Sequence, residues 1–186
     1  MRIISGIWKG KSITSPSEGT RPSTDRTRQA LFSILQHVVE NATVLDLFAG
    51  SGALGLESLS RGAHHVVAIE SDRRSCAVIK RNVTSLGAQN YDVLQSDVIS
   101  FLDSPPRKTF DLIFADPPYE QDFENSLLMQ VIAHPSWPKR ATSNTYLVTE
   151  SPNDLSKTTL IPKYWKPVTS RNYGKCHITI LQYSPE

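Results

Sequence analysis

The sequence predicts an α/β fold built on an open sheet. Short apolar runs of strand length alternate with amphipathic segments of helix length, the pattern of βαβ units. The first strand, predicted over 43–47, leads into a turn that contains Gly50 and Gly52. These glycines let the chain turn sharply with no Cβ in a ligand's way, and a helix that begins near Ala53 points free N–H groups at the same place. A nucleotide-cofactor crevice is therefore predicted at the carboxyl end of the first strand.

Composition excludes several classes of protein. The 186 residues are enough for one full core, and hydrophobic residues make up 39% and charged residues 20% of the chain, as in soluble globular domains. No apolar run approaches the ~18 residues of a membrane span, and the first residues lack the apolar core of a signal peptide. We therefore expect a cytoplasmic protein with no membrane partner. The histidines and the distant Cys76 and Cys176 have no ligand spacing, so no metal site is predicted.

Charge is distributed unevenly along the chain. Residues 1–28 contain six basic and two acidic side chains, residues 29–152 contain nine basic and fourteen acidic ones, and residues 153–186 contain five basic and two acidic ones. Basic ends that converge in space would attract a polyanion. Solvated surface charges explain the same distribution equally well.

The basic N-terminal part predicts a β-hairpin followed by a helix. The hairpin turns around Gly10, and residues 1–20 are assigned to this extension and residues 21–186 to the main domain. Trp8 between two lysines can stack on a base, although packing of Trp8 onto the domain is slightly favoured. Ser23 or Thr24 can cap the helix, but the arginines at its start exceed what capping needs. The candidate substrate contacts are Trp8, Lys9, Lys11, Arg21, Arg26 and Arg28.

Hydrophobic periodicity and turn residues predict the remaining elements. The first helix ends near Asn41, and Pro135 and Pro138 interrupt the region before the fifth strand. Further helices are predicted over 53–61, 72–86, 98–102 and 121–133, further strands over 65–69, 91–95, 110–115 and 145–150, and a terminal hairpin over 169–173 and 178–183.

Two cofactors compete for the glycine-rich turn. Residues 50–55 fit the G-x-G-x-x-G dinucleotide pattern, with Glu70 at the spacing of a ribose-binding acid. Asp46 argues against a dinucleotide, because a carboxylate in an apolar strand is costly unless paired and would oppose a pyrophosphate. An acidic rim suits S-adenosylmethionine (SAM), which has no phosphate and carries a sulfonium and an ammonium. D-x-F-A-G-S-G resembles the first motif of SAM-dependent methyltransferases, although a tight turn without a ligand is the simpler alternative.

Acidic residues also follow the second and third predicted strands. Glu70 can accept hydrogen bonds from both ribose hydroxyls, and Asp97 can accept one from an adenine amino group. Each can instead cap the helix that follows, but acids after three successive strands converge on one crevice. The candidate cofactor contacts are Asp46, Phe48, Gly50, Gly52, Glu70, Asp97 and Val98.

The fourth predicted strand runs into Asp116-Pro117-Pro118-Tyr119. Two prolines cannot continue a strand or donate N–H bonds, so nearby carbonyls stay available as acceptors. The simpler alternative is a strand-ending turn with an aromatic plug. D-P-P-Y resembles the motif of the methyltransferases that act on exocyclic amines of nucleic acids. That resemblance implies that the Asp116 carboxylate and the Pro117 carbonyl accept hydrogen bonds from the amine and that Tyr119 stacks on the extruded base.

The order of motifs along the chain resembles one family in particular. M-R-I-I-S-G, R-P-S-T-D-R-T-R-Q-A-L-F, D-L-F-A-G-S-G-A-L-G, D-P-P-Y and a closing Y-G hairpin are similar to the RsmD-type 16S ribosomal RNA guanine-N2 methyltransferases. The resemblance implies a Rossmann-like class I fold, with a mostly parallel seven-stranded sheet and an antiparallel last strand. It also implies SAM as cofactor and 16S rRNA, within an assembling or assembled 30S particle, as substrate. A monomer is expected.

Three other functions fit parts of the sequence. A DNA adenine-N6 methyltransferase would use the same D-P-P-Y chemistry, but it usually needs a target-recognition segment for which this chain has little room. An NAD-dependent dehydrogenase is opposed by Asp46. A catalytically silent RNA-binding assembly factor would keep only the fold. The choice of guanine over adenine depends on the family resemblance alone.

Overall fold

A computed structural model describes residues 1–16, 25–118 and 120–185. The chain divides into two compact units, Met1–Val98 and Ile99–Glu186. The elements up to the third strand are α1 (Asp25–Ile34), α2 (Gln36–Val39), β1 (Thr43–Asp46), α3 (Ala53–Ser60), β2 (His65–Glu70), α4 (Arg73–Leu86) and β3 (Tyr91–Gln95). The later elements are α5 (Val98–Asp103), β4 (Phe110–Ala115), α6 (Leu127–Ile132), α7 (Trp137–Arg140), β5 (Ala141–Ser151), a 3-10 turn (Leu155–Lys157), β6 (Trp165–Tyr173) and β7 (Cys176–Tyr183).

The first unit is built from parallel βα repeats. β1 pairs with β2, and β2 pairs with β3, all in parallel. β1 and β2 are buried almost throughout, as expected of parallel strands with helices on their faces. Asp72 caps the start of α4 by accepting a hydrogen bond from the Ser75 N–H, and Gly87 ends the helix in the left-handed conformation. Both ends of α4 are thus capped by residue types that are typical of helix ends.

The second unit contains the antiparallel end of the sheet. β4 and β5 are parallel, and β7 pairs antiparallel with both β5 and β6. Trp137 and Trp165 are buried, and their ring centroids lie 5.8 Å apart in an edge-to-face arrangement. Aromatic pairs prefer this geometry. The strand order is β3-β2-β1-β4-β5-β7-β6, which confirms the predicted seven-stranded α/β class. No helix in the described ranges is long and apolar enough to cross a bilayer.

Several predicted boundaries are wrong for local reasons. The helix predicted over 121–133 begins only at Leu127, because Asp122 accepts hydrogen bonds from the backbone and side chain of Asn125 in a turn that competes with helix. β5 is longer than predicted and starts at Ala141, where the pairing with β4 is irregular. β6 and β7 also begin earlier than predicted, at Trp165 and Cys176.

Other differences concern strand and helix ends in the first unit. The first helix does not continue to Asn41: it breaks after Ile34 and resumes as α2. Glu70 is the last residue of β2 rather than the residue after it. The proposed helix caps Ser23 and Thr24 lie outside the described residues.

Residues 1–14, called here the N-terminal segment, are a docked loop rather than a regular hairpin. They contain one isolated antiparallel bridge, between Arg2 and Ser12. Ile3 and Ile13 are buried in a cluster with Leu56 of α3. The buried carboxylate of Glu57 accepts the N–H groups of residues 4 and 5 at 2.7 and 3.0 Å. This segment is therefore fixed to α3 by both apolar burial and charge-assisted hydrogen bonds.

Two glycines of the N-terminal segment provide a matched test of this docking. Gly6 and Gly10 have nearly equal positive φ angles, +82° and +81°, but a Cβ at Gly6 would overlap the backbone carbonyl of Ser60, whereas a Cβ at Gly10 meets nothing within 4 Å. We expect Gly10→Ala to lower the free energy of unfolding by about 1–2 kcal/mol, the cost of a left-handed alanine. Gly6→Ala should cost roughly 3 kcal/mol or more, because undocking also exposes Ile3. Urea denaturation measures both; equal losses would contradict the close approach.

Candidate functional site

The turn between β1 and α3 combines left-handed backbone with open space. Gly50 has a φ of +54° and Gly52 a φ of +78°, a conformation that L side chains rarely adopt. A Cβ on Gly50 would meet nothing within 4 Å, whereas one on Gly52 would lie 2.9 Å from the Tyr91 hydroxyl. Gly52 is thus required by packing as well as by its φ angle, while Gly50 leaves its face of the turn open to a ligand.

Asp46 lies beneath this turn and not on its rim. The side chain is 2% exposed and accepts a hydrogen bond from the Gly55 N–H at 3.3 Å, with a further backbone bond from Phe48. Burial raises the pKa of Asp46 to about 7; the two backbone donors lower it, and the nearby Glu70 raises it. The expectation of Asp46 as part of an acidic rim is therefore corrected: its carboxylate ties the start of the turn to the first turn of α3.

Glu70 joins the glycine turn to the start of α4. One carboxylate oxygen accepts the Gly50 N–H at 2.8 Å, and the other accepts the Asp72 N–H at 2.8 Å. A carboxylate has about four acceptor positions, so Glu70 can keep both bonds and still receive two hydroxyl groups. The alternative role at the start of α4 is therefore observed, and it is compatible with the predicted ribose contact.

The remaining candidate cofactor residues also lie in the first unit. Phe48 is half-buried in the glycine turn, Asp97 is exposed after β3, and Val98 is buried at the start of α5. Glu70 pairs with Gln95 in the parallel register of β2 and β3. The strand ends that carry Glu70 and Asp97 therefore lie side by side, as expected for parallel strands.

Asn82 is a site residue that the sequence reasoning missed. Its side chain is 2% exposed; the amide oxygen accepts the Thr14 N–H at 2.9 Å, and the amide nitrogen donates to the carbonyls of Thr14 and Ser51, also at 2.9 Å. One buried amide thus links the end of the N-terminal segment to the glycine turn. One feature of the sequence could have identified Asn82: it is a polar residue and a poor helix former, and it follows Ile79 by three positions on the apolar side of α4.

The D-P-P turn follows β4 in the second unit. Asp116 is half-buried, Pro117 is buried and Pro118 is exposed, while Tyr119 lies outside the described residues. A small, partly open pocket adjoins the two prolines. It is lined by Pro117, Pro118, Glu120, Phe123, Ser126, Leu128, Glu150, Ser151 and Pro152.

The candidate substrate contacts divide into exposed and packed side chains. Lys9, Lys11 and Arg26 are exposed, and Arg21 lies outside the described residues. Trp8 is partly buried against the apolar cluster of the N-terminal segment, which favours the packing interpretation over base stacking.

Arg28 is corrected from a substrate contact to a structural residue. It is 1% exposed; its guanidinium pairs with Asp25 at 2.8 Å and donates to the Arg2 carbonyl at 2.8 Å and to the Met1 sulfur at 3.2 Å. A buried, hydrogen-bonded guanidinium holds the N-terminal segment against α1 and has no surface from which to reach a polyanion. Within the described ranges, no group of three or more histidine, cysteine or acidic residues is arranged to hold a metal ion.

Comparison with known proteins extends over nearly the whole chain. The model of a protein family described as conserved hypothetical protein 95 matches residues 1–182. The chain belongs to this family. It is 30% identical to the ribosomal RNA small subunit methyltransferase D of Buchnera aphidicola over 96% of this chain and 92% of that protein. It is 31% identical to the protein of the same name from Haemophilus influenzae, over 94% and 89% of the two chains.

A solved structure agrees with this membership. The Escherichia coli protein described as "putative methyltransferase yhhF" superposes with a TM-score of 0.87 at 32% identity, covering 100% of this chain and 99% of that one. These findings confirm the resemblance to RsmD-type enzymes that the order of motifs predicted.

The raised pKa of Asp46 predicts a pH dependence of stability. Between about pH 4 and pH 7 the folded chain keeps a proton that the unfolded chain, with an aspartate pKa near 3.8, has already released. Stability from this group is therefore complete below pH 4 and decreases as the pH rises to 7. Asp46→Asn removes the titration, so the free energy of unfolding of the variant relative to wild type should rise by about 2–3 kcal/mol between pH 5 and pH 8. A pH-independent difference in urea denaturation would contradict the assignment.

Proposed function

We propose that this protein is a SAM-dependent methyltransferase that transfers a methyl group to the exocyclic N2 of a guanine in 16S ribosomal RNA. The observation that carries the proposal is the Asp116-Pro117-Pro118 turn at the end of β4, next to an open pocket. Relatives named ribosomal RNA small subunit methyltransferase D, similar over nearly the full chain, support the substrate class.

The first unit supplies the cofactor-binding residues. The open face of Gly50 allows a close approach to the backbone, and the Glu70 carboxylate has acceptor positions for two ribose hydroxyls. Asp97 accepts from the adenine amino group, and Phe48, Gly52 and Val98 complete the set. Glu70 and Asp97 give the set an acidic character, which suits a cofactor that carries a sulfonium and an ammonium. When bound, SAM supplies a methyl group on an electrophilic sulfonium.

The D-P-P-Y motif orients the amine that is methylated. An exocyclic amine is conjugated into its ring and is a poor nucleophile. The Asp116 carboxylate and the Pro117 carbonyl accept hydrogen bonds from its two N–H groups, which localises the nitrogen lone pair and directs it. Pro118 fixes the turn, and Tyr119 stacks on the extruded base. The nitrogen then loses its extra proton to Asp116 or to water.

The basic N-terminal part of the chain contributes to RNA binding. Lys9, Lys11 and Arg26 are exposed cations that suit contacts to phosphates, which position a substrate without reading its sequence. We assign residues 1–20 to an N-terminal extension and 21–186 to the methyltransferase domain, with Arg21 as a further phosphate contact. The enzyme acts as a cytoplasmic monomer on an assembling or assembled 30S particle, whose folded RNA presents the base.

Asp116→Ala separates catalysis from cofactor binding. Loss of the acceptor should lower the rate of methyl transfer at least about 100-fold, while the Kd for SAM measured by calorimetry stays unchanged. Glu124→Ala, which removes an exposed carboxylate from the segment after the turn, serves as the control. Full activity of Asp116→Ala would exclude the proposed amine acceptor. An unchanged effect on ribosome assembly together with lost transfer would favour an assembly factor.

Glu70→Ala tests the cofactor site. Its carboxylate holds the Gly50 N–H and would bind the ribose, so we expect the Kd for SAM to rise about 10- to 100-fold. Asp72→Ala is the matched control, because Asp72 only caps α4: it should cost about 1 kcal/mol of stability and leave the Kd for SAM unchanged. Equal affinities of Glu70→Ala and wild type would refute the ribose contact.

The substrate itself is tested by transfer of labelled methyl from SAM to RNA and DNA taken from cells that lack the enzyme. The four substrates are protein-free small-subunit RNA, assembled small subunits, large-subunit RNA and duplex DNA. Label only on the small-subunit substrates, recovered as N2-methylguanosine, is the expected result. Label on DNA as N6-methyladenine would refute the ribosomal assignment.

A further inference from the structure

Two acidic residues lie next to the last residue pair of β4 and β5. Ala115, the last residue of β4, pairs with Thr149 in the parallel register, and Asp116 and Glu150 are the residues that follow this pair on the two chain segments. Glu150 lines the pocket that adjoins Pro117 and Pro118. The residue proposed to hold the amine and a second carboxylate-bearing residue thus occupy equivalent positions on neighbouring strands.

The lining of the pocket offers an aromatic side chain and hydrogen-bond acceptors. Phe123 is a half-exposed aromatic in its lining, and aromatic faces stack on bases. None of the described lining residues has a basic or amide side chain. The Ser151 hydroxyl donates to the Asn153 carbonyl and accepts the Asn153 N–H, and the Ser126 hydroxyl accepts the Met129 N–H. Glu120 and Glu150 are the charged hydrogen-bond acceptors among the described lining residues.

Glu120 and Glu150 differ in how they are placed. Glu120 is exposed and accepts the Leu127 N–H at 3.0 Å, at the start of α6. Glu150 is half-buried at the end of β5, on the strand next to Asp116. A carboxylate has about four acceptor positions, so Glu150 can keep a bond within the protein and still accept one from a ligand. Of the two residues, Glu150 is the better candidate for accepting a hydrogen bond from the target base.

Guanine alone among the standard bases presents an amine next to a ring N–H. Its N2 amino group adjoins the N1–H donor, whereas the amines of adenine and cytosine adjoin ring nitrogens that are acceptors. An acceptor beside the amine-binding residue therefore favours guanine and repels the lone pair of the other two bases. We propose that Glu150 is a specificity-determining residue that accepts the N1–H of the target guanine, an inference that rests on the proposed methyl transfer to guanine N2.

A substituted target nucleotide tests this role. 2-Aminopurine keeps the 2-amino group, but its N1 is an acceptor. Small-subunit RNA is prepared by ligation with either guanosine or 2-aminopurine riboside at the nucleotide that the wild-type enzyme methylates, and kcat/KM is measured for both. A hydrogen bond to a charged group is worth about 1.5–3 kcal/mol, so the wild type should prefer guanosine roughly 10- to 150-fold.

Three variants distinguish recognition of the guanine N1–H by Glu150 from a purely structural role of this residue. In Glu150→Gln the amide can donate to the N1 acceptor, so the preference for guanosine should fall at least about tenfold relative to wild type. Glu150→Asp keeps an acceptor and should retain the preference at a lower kcat/KM. Glu120→Gln should retain the wild-type preference. A merely structural Glu150 would change kcat/KM for both substrates alike and leave their ratio as it is.

The outcomes distinguish this inference from the proposed function. An unchanged ratio in Glu150→Gln, or a loss of preference in Glu120→Gln instead, would overturn the role of Glu150 while leaving methyl transfer to guanine intact. A wild-type enzyme that forms no N2-methylguanosine on any small-subunit substrate would refute the proposed function itself, whatever the variants do.

Discussion

The turn between β1 and α3 is held by polar side chains from three other places in the first unit. Asp46 binds it from below through Gly55, Glu70 accepts the Gly50 N–H, and Asn82 donates to the Ser51 carbonyl. Left-handed backbone conformations are sparsely populated and persist only where the surrounding structure holds them. These contacts are therefore needed to fix the conformation of the turn. One of these contacts places the carboxyl group of Asp46 in the interior, where burial raises its pKa to about 7. The shape of the turn therefore depends on groups outside the glycine motif.

The same anchoring extends to the N-terminal segment. Asn82 binds both Thr14 and the glycine turn, and Glu57 and Ser60 on α3 hold the backbone of residues 4–8. A change in the position of this segment would alter the contacts of Asn82 with the turn. Lys9 and Lys11 therefore belong to a loop that is anchored to α3 and α4 by several hydrogen bonds.

The sequence predicted elements well where a local pattern decides them. β3 and β4 match their predicted limits residue for residue, because each is a short run between turn residues. Prediction failed where a tertiary contact decides: nothing local shows that Arg28 is buried, or that Asn82 spans two segments. The helix predicted over 121–133 failed through the turn at Asp122, which periodicity alone does not register. Candidate residues were thus found by type and spacing, but their exposure required the fold.

The uneven distribution of charge along the chain separates residues suited to different ligands. The exposed cations Lys9, Lys11 and Arg26 lie in the basic N-terminal part, whereas Glu70, Asp116 and Glu150 belong to the acidic middle. Phosphates are attracted by the first group and repelled by the second. A carboxylate attracts a cation and accepts hydrogen bonds from neutral O–H and N–H donors. The sulfonium cofactor, its ribose hydroxyls and the amine-bearing edge of guanine all meet that description. Under the proposed function, the exposed cations of the N-terminal part would attract the RNA backbone, while the acidic residues would accept hydrogen bonds from the base and the ribose.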